Sequence, residues 1–226
     1  MDSSPTEDAP LHEPWVLVTG CGPFPGVEVN PTGAICAALD GELIEGHRVR
    51  GRALLTSFED TACALESLIL NEHPPALVLL TGVDIKATSI RLEIQARNWI
   101  AGERQDATGA EPGPCPITEQ AAPRSLLETP FGWGHLVYGL LQAGYPAEPS
   151  GDAGAYVCNF SYYQALMCGL KSGSEAVFLH LPQVGSAWGD RESQERAWSL
   201  SDLTDATLVA LRAMISARTA LIAEAP

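Results

Sequence analysis

Basic residues are scarce in this chain: 13 Lys and Arg stand against 28 Asp and Glu, for a formal net charge of −15 at pH 7. Nucleic acid is thereby excluded as a partner, because phosphate binding draws on clustered lysine and arginine. Long apolar runs are missing too. None nears the ~20 residues that span a bilayer, so no membrane partner is expected. The first ten residues, Met1 to Pro10, are acidic and polar, the opposite of a secretory signal. A soluble cytoplasmic protein is the expectation. No C-x-x-C pair occurs, and no cysteine combines with histidine at zinc spacing, so no metal is expected. The six cysteines, at 21, 36, 63, 115, 158 and 168, then read as reduced thiols.

What is present suits one well-filled domain. The chain has 226 residues, 46% of them hydrophobic and 18% charged, enough to build a sizeable core. Residues 1–13 read as a mobile acidic tail and 14–226 as a single α/β domain. Short apolar runs at Trp15–Gly20, Arg48–Leu55, Ala76–Leu80 and Ala176–Leu181 read as strands. Ser89–Trp99 alternates, with Ile90, Leu92, Ile94 and Ala96 on one face and Arg91, Glu93, Gln95 and Arg97 on the other. Helical spacing marks Asn30–Ala38, Phe58–Leu70, Gly132–Ala143, Cys158–Leu170 and Ser201–Leu221, the last with Ser201 or Asp202 as its cap. Strands alternating with helices imply a three-layer α/β/α sandwich around a mixed, mostly parallel sheet. The Gly- and Pro-rich stretch 102–130 reads as an irregular excursion or lid.

Among the cysteines, Cys158 differs by position. A small-residue approach, Gly151-Asp-Ala-Gly-Ala155, delivers it to the start of a helical pattern. Unpaired N–H groups and the helix dipole there favour a thiolate and supply donors for an oxyanion. His180 lies 22 positions later, at the end of an apolar strand, and active sites of α/β sheets collect at the carboxyl ends of strands. A carboxylate could orient that imidazole. Glu93, Asp84 and Asp152 all remain open on periodicity alone. The loop Gly20-Cys-Gly-Pro-Phe-Pro-Gly26 lacks dinucleotide and phosphate-loop spacing, and its prolines remove backbone donors. Two readings of it stay open on the residues alone: a turn with a buried phenylalanine, and a rigid loop that presents Phe24 to a small ligand.

In this order the pieces resemble the type I pyroglutamyl peptidases, cysteine peptidases that remove an N-terminal pyroglutamyl residue. The first loop, Val18-Thr-Gly-Cys21-Gly-Pro-Phe24-Pro25-Gly26 followed by Asn30-Pro31-Thr32, is similar to that family's opening strand and loop. Glu93-Ile-Gln-Ala96-Arg-Asn98 matches its Glu-x-x-Ala-x-Asn signature. Ala153-Gly154-Ala-Tyr156-Val157-Cys158-Asn159 matches its nucleophile motif, and His180-Leu-Pro182 its His-x-Pro. The resemblance spans residues 15 to about 215.

The resemblance implies Cys158 as nucleophile, His180 as its base and Glu93 as the group that fixes the imidazole. It places Phe24, Cys21, Asn30 and Val83 at the substrate. It also implies a peptide with a blocked N-terminus as partner, often a homo-oligomeric assembly, and no metal or organic cofactor. Two departures bear on the pocket. The family sandwiches its lactam ring between two phenylalanines of the first loop, and here the first of them is Cys21. Its glycine-rich, arginine-bearing segment is here Gly82-Val-Asp-Ile-Lys86. Two further readings follow from these: a related cysteine hydrolase of another N-terminal or lactam-like amide, and a non-catalytic binding homologue.

Overall fold

The computed structural model describes residues 13–189 and 196–224, with side chains through residue 220. Apart from Glu13, the expected tail lies outside the described residues. The strands are β1 (Trp15–Cys21), β2 (Leu43–Ile44), β3 (His47–Leu54), β4 (Leu77–Asp84), β5 (Ile90–Glu93), β6 (Gln95–Arg97), β7 (Leu126–Glu128), β8 (Ala147–Ser150) and β9 (Glu175–Pro182). The helices are α1 (Pro31–Leu39), α2 (Phe58–Ile69), α3 (Trp133–Gln142), α4 (Val157–Ser172) and α5 (Leu200–Glu224).

Seven strands form one sheet in the order β2-β3-β1-β4-β9-β5-β8. Strands β3, β1, β4 and β9 run parallel, whereas β5 is antiparallel to β9. The sheet is therefore mixed and mostly parallel, as expected. The central strands have to be apolar on both sides, because helices cover both faces. Leu77, Val78, Leu79 and Leu80 meet that demand and are at most 1% exposed. One face packs against α1, α3 and α5 through Ile35, Leu136, Leu140, Leu211 and Met214. The other packs against α2 and α4 through Leu65, Ile69, Tyr162 and Leu166.

Two expectations need correction. Ser89–Trp99 is not one strand. It bends at Ile94, whose N–H donates to Ser150 O and whose carbonyl accepts from Thr129 N, so β5 joins the main sheet while β6 pairs only with β7. The alternation is real, but its polar side is covered by α4, and Glu93 is 0% exposed. The cap of α5 is Ser199, whose Oγ accepts from Asp202 N at 3.1 Å while Asp202 Oδ2 accepts from Ser199 N at 3.0 Å. This is a reciprocal capping box, in which Asp202 occupies the third helical position. Three short strands escaped the sequence reading: β2, β7 and β8.

Close packing of α1 on the sheet rests on glycine. A Cβ placed on Gly51 would lie 1.9 Å from the backbone oxygen of Cys36, a contact that only movement of α1 can relieve. Gly51→Ala is expected to cost about 3 kcal/mol or more in stability. Urea unfolding checks this; a loss below about 1 kcal/mol would show that α1 yields freely.

Candidate active site

The carboxyl ends of β1, β4 and β9 and the start of α4 converge on a cavity of about 790 Å³ lined by Phe24, Val83, Asp84, Arg91, Tyr156, Cys158 and His180, among others. A hollow of about 340 Å³ between β7 and the end of α4 has neither cysteine nor histidine in its lining. Cys158 and His180 both line the larger one.

Each catalytic candidate arrives on a different element. Cys158 is the second residue of α4, which begins without a side-chain cap, so the N–H groups of the first turn have no intrahelical acceptor. Asn159 splices this helix start to β6. Its Oδ1 accepts from Arg97 N, and its Nδ2 donates to the carbonyls of Arg97 and Trp99. Before the helix, Gly154 takes φ +82° and donates to Asp152 Oδ1, a left-handed turn suited to glycine. His180 pairs in register with Gly82 on β4 and with Arg91 on β5.

Glu93 is the carboxylate that reaches the histidine. Its Oε1 lies 2.8 Å from His180 Nδ1, with both residues buried. An ionised Glu93 accepts from Nδ1–H and so leaves the Nε2 lone pair as the base. Arg91 lies 3.9 Å from the same oxygen. Its guanidinium also donates to Asp84 Oδ2 at 2.9 Å and to Ser150 Oγ at 2.6 Å. Asp84 is thus committed to Arg91. Burial alone would raise its carboxyl, but the Lys86 N–H and Arg91 outweigh that and hold it below 3.8. Asp152 has a side chain 64% exposed and faces Arg97. The choice left open by periodicity falls on Glu93.

The bias toward a thiolate that a helix start provides is opposed here by burial. Burial, followed by the neighbouring Cys21 thiol and the Glu93 and Asp84 carboxylates, pushes the Cys158 thiol well above 9.0. A helix terminus supplies at most about 2 kcal/mol, or roughly 1.5 pKa units, which desolvation of a sulfur anion exceeds.

The expected substrate-binding residues divide. Phe24 and Val83 line the cavity. Asn30 and Cys21 do not. Asn30 caps α1, accepting from Thr32 N and donating to Gly22 O. Cys21 Sγ lies 4.0 Å from the Thr81 carbonyl. Asn98 is structural as well: it exchanges hydrogen bonds with Thr118 and holds the carbonyls of Ala121 and Ala122.

Sequence reasoning missed three contributors. Tyr156 sets its ring 6.0 Å from Phe24 and 5.7 Å from Phe58, and its position directly before Val157-Cys158 was the available signal. Arg91 was read only as a neighbour of Glu93. Gly82 interrupts a buried aliphatic strand, and the reason is steric: a Cβ there would lie 3.0 Å from Cys158 Sγ and 2.9 Å from Phe178 Cζ. The excursion over 102–130 contributes Glu103, Arg104, Gln105 and Glu111 to the cavity wall. It is pinned by buried Asp106, which accepts from Phe58 N, Thr108 N and Ala110 N.

A profile of the pyroglutamyl peptidases matches residues 15–220. The chain belongs to the pyroglutamyl peptidase family. A pyrrolidone-carboxylate peptidase of Halalkalibacterium halodurans is 34% identical over 195 residues, 85% of this chain and 93% of that protein. One from Thermococcus kodakarensis is 35% identical over 169 residues, 74% of this chain and 80% of that protein. The structure of pyrrolidone carboxyl peptidase from Thermococcus litoralis aligns with a TM-score of 0.80 at 27% identity, covering 90% of this chain and 94% of that one. The α/β fold and the omega-peptidase class expected from the sequence are those of this pyroglutamyl peptidase family. Among the described residues no helix is long and apolar enough to cross a membrane.

Two other thiols, on half-buried Cys21 and buried Cys36, give this family member an alkaline signature. Burial pushes Cys21 up from 9.0 to about 11 and Cys36 up from 9.0 to about 12. Above pH 9 the unfolded chain releases those protons while the folded one keeps them, so stability is lost as pH rises from about 9 toward 12. Unfolding midpoints measured between pH 8 and 10.5 should fall steadily. Cys36→Ala should flatten that slope by about 1.4 kcal/mol per pH unit; an unchanged slope would contradict the assignment.

Proposed function

We propose that this chain removes an N-terminal pyroglutamyl residue from peptides, with Cys158 as nucleophile, His180 as general base and acid, and Glu93 as the group that orients and charges the imidazole. One observation supports this above the others: the His180–Glu93 pair at 2.8 Å opens onto the same cavity as a thiol at a helix start. His180 Nε2 takes the Cys158 proton as Sγ attacks the pyroglutamyl carbonyl carbon. The oxyanion faces the free N–H groups of the first turn of α4. Collapse to the thioester returns the proton from His180 to the leaving amine, and water then releases pyroglutamate. Thiol, imidazole and carboxylate are sufficient for every step. A peptide with a blocked N-terminus is the partner, and a cytoplasmic setting would keep the thiol reduced.

Phe24 and Tyr156 support the ring selectivity, since two aromatic side chains meet at the cavity wall. Cys21, where the family resemblance expects an aromatic, favours a second reading: a cysteine hydrolase of another lactam-like N-terminal amide. Hydrolysis of matched fluorogenic pyroglutamyl, six-membered-lactam and prolyl amides decides between them. At least tenfold higher kcat/KM on the pyroglutamyl amide is the expected result. Preference for the larger lactam would support the second reading, and thiol-independent release of all three would overturn both.

A further inference from the structure

Cys21 and Cys158 flank the same peptide unit. The β1–β4 register pairs Val18 with Leu79 and Thr19 with Leu80, and both strands then run on to their ends, through Cys21 and through Gly82. The β4–β9 register pairs Gly82 with His180. Cys21, Gly82 and His180 therefore lie toward the carboxyl ends of three adjacent parallel strands. Alternation along β1 turns Cys21 to the same side as Trp15 and Leu17, the face that α4 covers. Cys158 Sγ sits 3.0 Å from where a Cβ of Gly82 would lie. Cys21 Sγ reaches the carbonyl of the preceding residue, Thr81, at 4.0 Å. Cys158 thus faces β4, between the strand that carries His180 and the strand that carries Cys21.

We propose that Cys21 is a resolving thiol, and that Cys21 and Cys158 form a disulfide when the site meets hydrogen peroxide. Cys158 reacts first, because it lines the cavity and stands beside the base. His180 takes the thiol proton, the sulfur attacks one peroxide oxygen, the O–O bond breaks and hydroxide leaves with that proton as water. This gives a sulfenic acid on Cys158. The Cys21 sulfur then attacks the sulfenic sulfur, an S–S bond forms, the S–O bond breaks and a second water departs. Two thiols lose two electrons and two protons to one peroxide, which becomes two waters. The disulfide is recoverable by thiol–disulfide exchange, whereas a sulfenic acid with no neighbouring thiol proceeds to the sulfinic acid and is lost.

The small residue at position 21 acquires a purpose on this account: it gives up an aromatic wall and gains a means of sparing the nucleophile. The proposal rests on the reading of Cys158 as nucleophile only for its effect on turnover, and the primary readout is mass rather than activity. The full-length protein is treated with hydrogen peroxide, quenched with catalase, alkylated and digested. The expected product is one cross-linked pair of peptides holding Cys21 and Cys158, two hydrogens lighter than the reduced pair and separated by dithiothreitol. In Cys21→Ser the expected product is Cys158 carrying two added oxygens. Dithiothreitol should return at least half of the wild type's own untreated rate and under a tenth of the Cys21→Ser variant's own. Cys63→Ser, at an exposed cysteine, should behave as wild type. Sulfinic acid at Cys158 in the wild type, pairing of Cys158 with any other cysteine, or equal recovery in Cys21→Ser would each overturn the proposal. Loss of the cross-link with normal pyroglutamyl hydrolysis refutes the switch alone, and the cross-link without hydrolysis refutes the substrate reading alone.

Discussion

Cys158→Ala is expected to lower kcat on a pyroglutamyl amide by about 10⁵-fold or more while leaving the protein folded. The magnitude follows from what remains without the sulfur. His180 and Glu93 would still polarise a water, and the helix start would still bind an oxyanion, yet no covalent intermediate could divide the reaction into two easier steps. Removing one sulfur from a partly buried position costs on the order of 1 kcal/mol of stability, so the variant should bind a substrate-like lactam normally. Cys158→Ser sharpens the test. It keeps the shape of the side chain but presents a hydroxyl that is far harder to deprotonate, and its rate should stay within about tenfold of the alanine variant. Iodoacetamide labelling offers an independent check, because only the wild type should lose activity in step with modification of Cys158. A Cys158→Ala rate within tenfold of wild type would remove this residue from the mechanism.

Glu93→Gln should lower kcat by roughly 10³-fold with KM within a few-fold of wild type. Glu93 is fully buried and is not part of the cavity lining, so substrate does not touch it. In the proposed mechanism its work is done through His180. The carboxylate at 2.8 Å selects the imidazole tautomer with Nδ1–H and stabilises the imidazolium that forms as Cys158 loses its proton. Burial raises the Cys158 thiol, so the charge on the imidazolium side works against a sulfur anion that its surroundings disfavour. A glutamine keeps the hydrogen-bonding shape and removes the charge, and it leaves Arg91, 3.9 Å away, without a counterion at that oxygen. A parallel rise in KM would point to a collapsed cavity. A kcat within threefold of wild type would show that His180 acts alone.

How much of this was legible in the sequence varies with the range of the interaction. Cys158 could be found because its signal is local: a glycine-bearing approach and a helix start lie within a few residues of it. The strand ending at His180 was readable for the same reason, as a short unbroken apolar run. Glu93 was ambiguous, because alternation shows two faces of a strand without showing whether one meets water. Here α4 covers that face. The surroundings of the Cys158 thiol were only half legible on similar grounds, since a helix dipole is visible in sequence and the desolvation that opposes it is not. Asn30, Asn98 and Asn159 look like site residues when motifs are read as strings. In the structure they cap, clasp and splice backbone, and that role appears only when their long-range partners are known. β8 was missed because Ala147-Glu-Pro-Ser150 carries no apolar alternation and is a strand only by virtue of pairing with β5.

The two faces of the central sheet have separate tenants. Cys158 is carried by α4, and the side chains of Glu93 and His180 turn toward that helix, while α1, α3 and α5 fill the opposite side. A substitution among Leu136, Leu211 and Met214 can therefore shift the melting temperature without any geometric route to the nucleophile other than through the strands themselves. The practical outcome is a division between endurance and turnover. The back layer is open to selection or engineering for heat tolerance, and the front layer for substrate choice, with little need for one to wait upon the other.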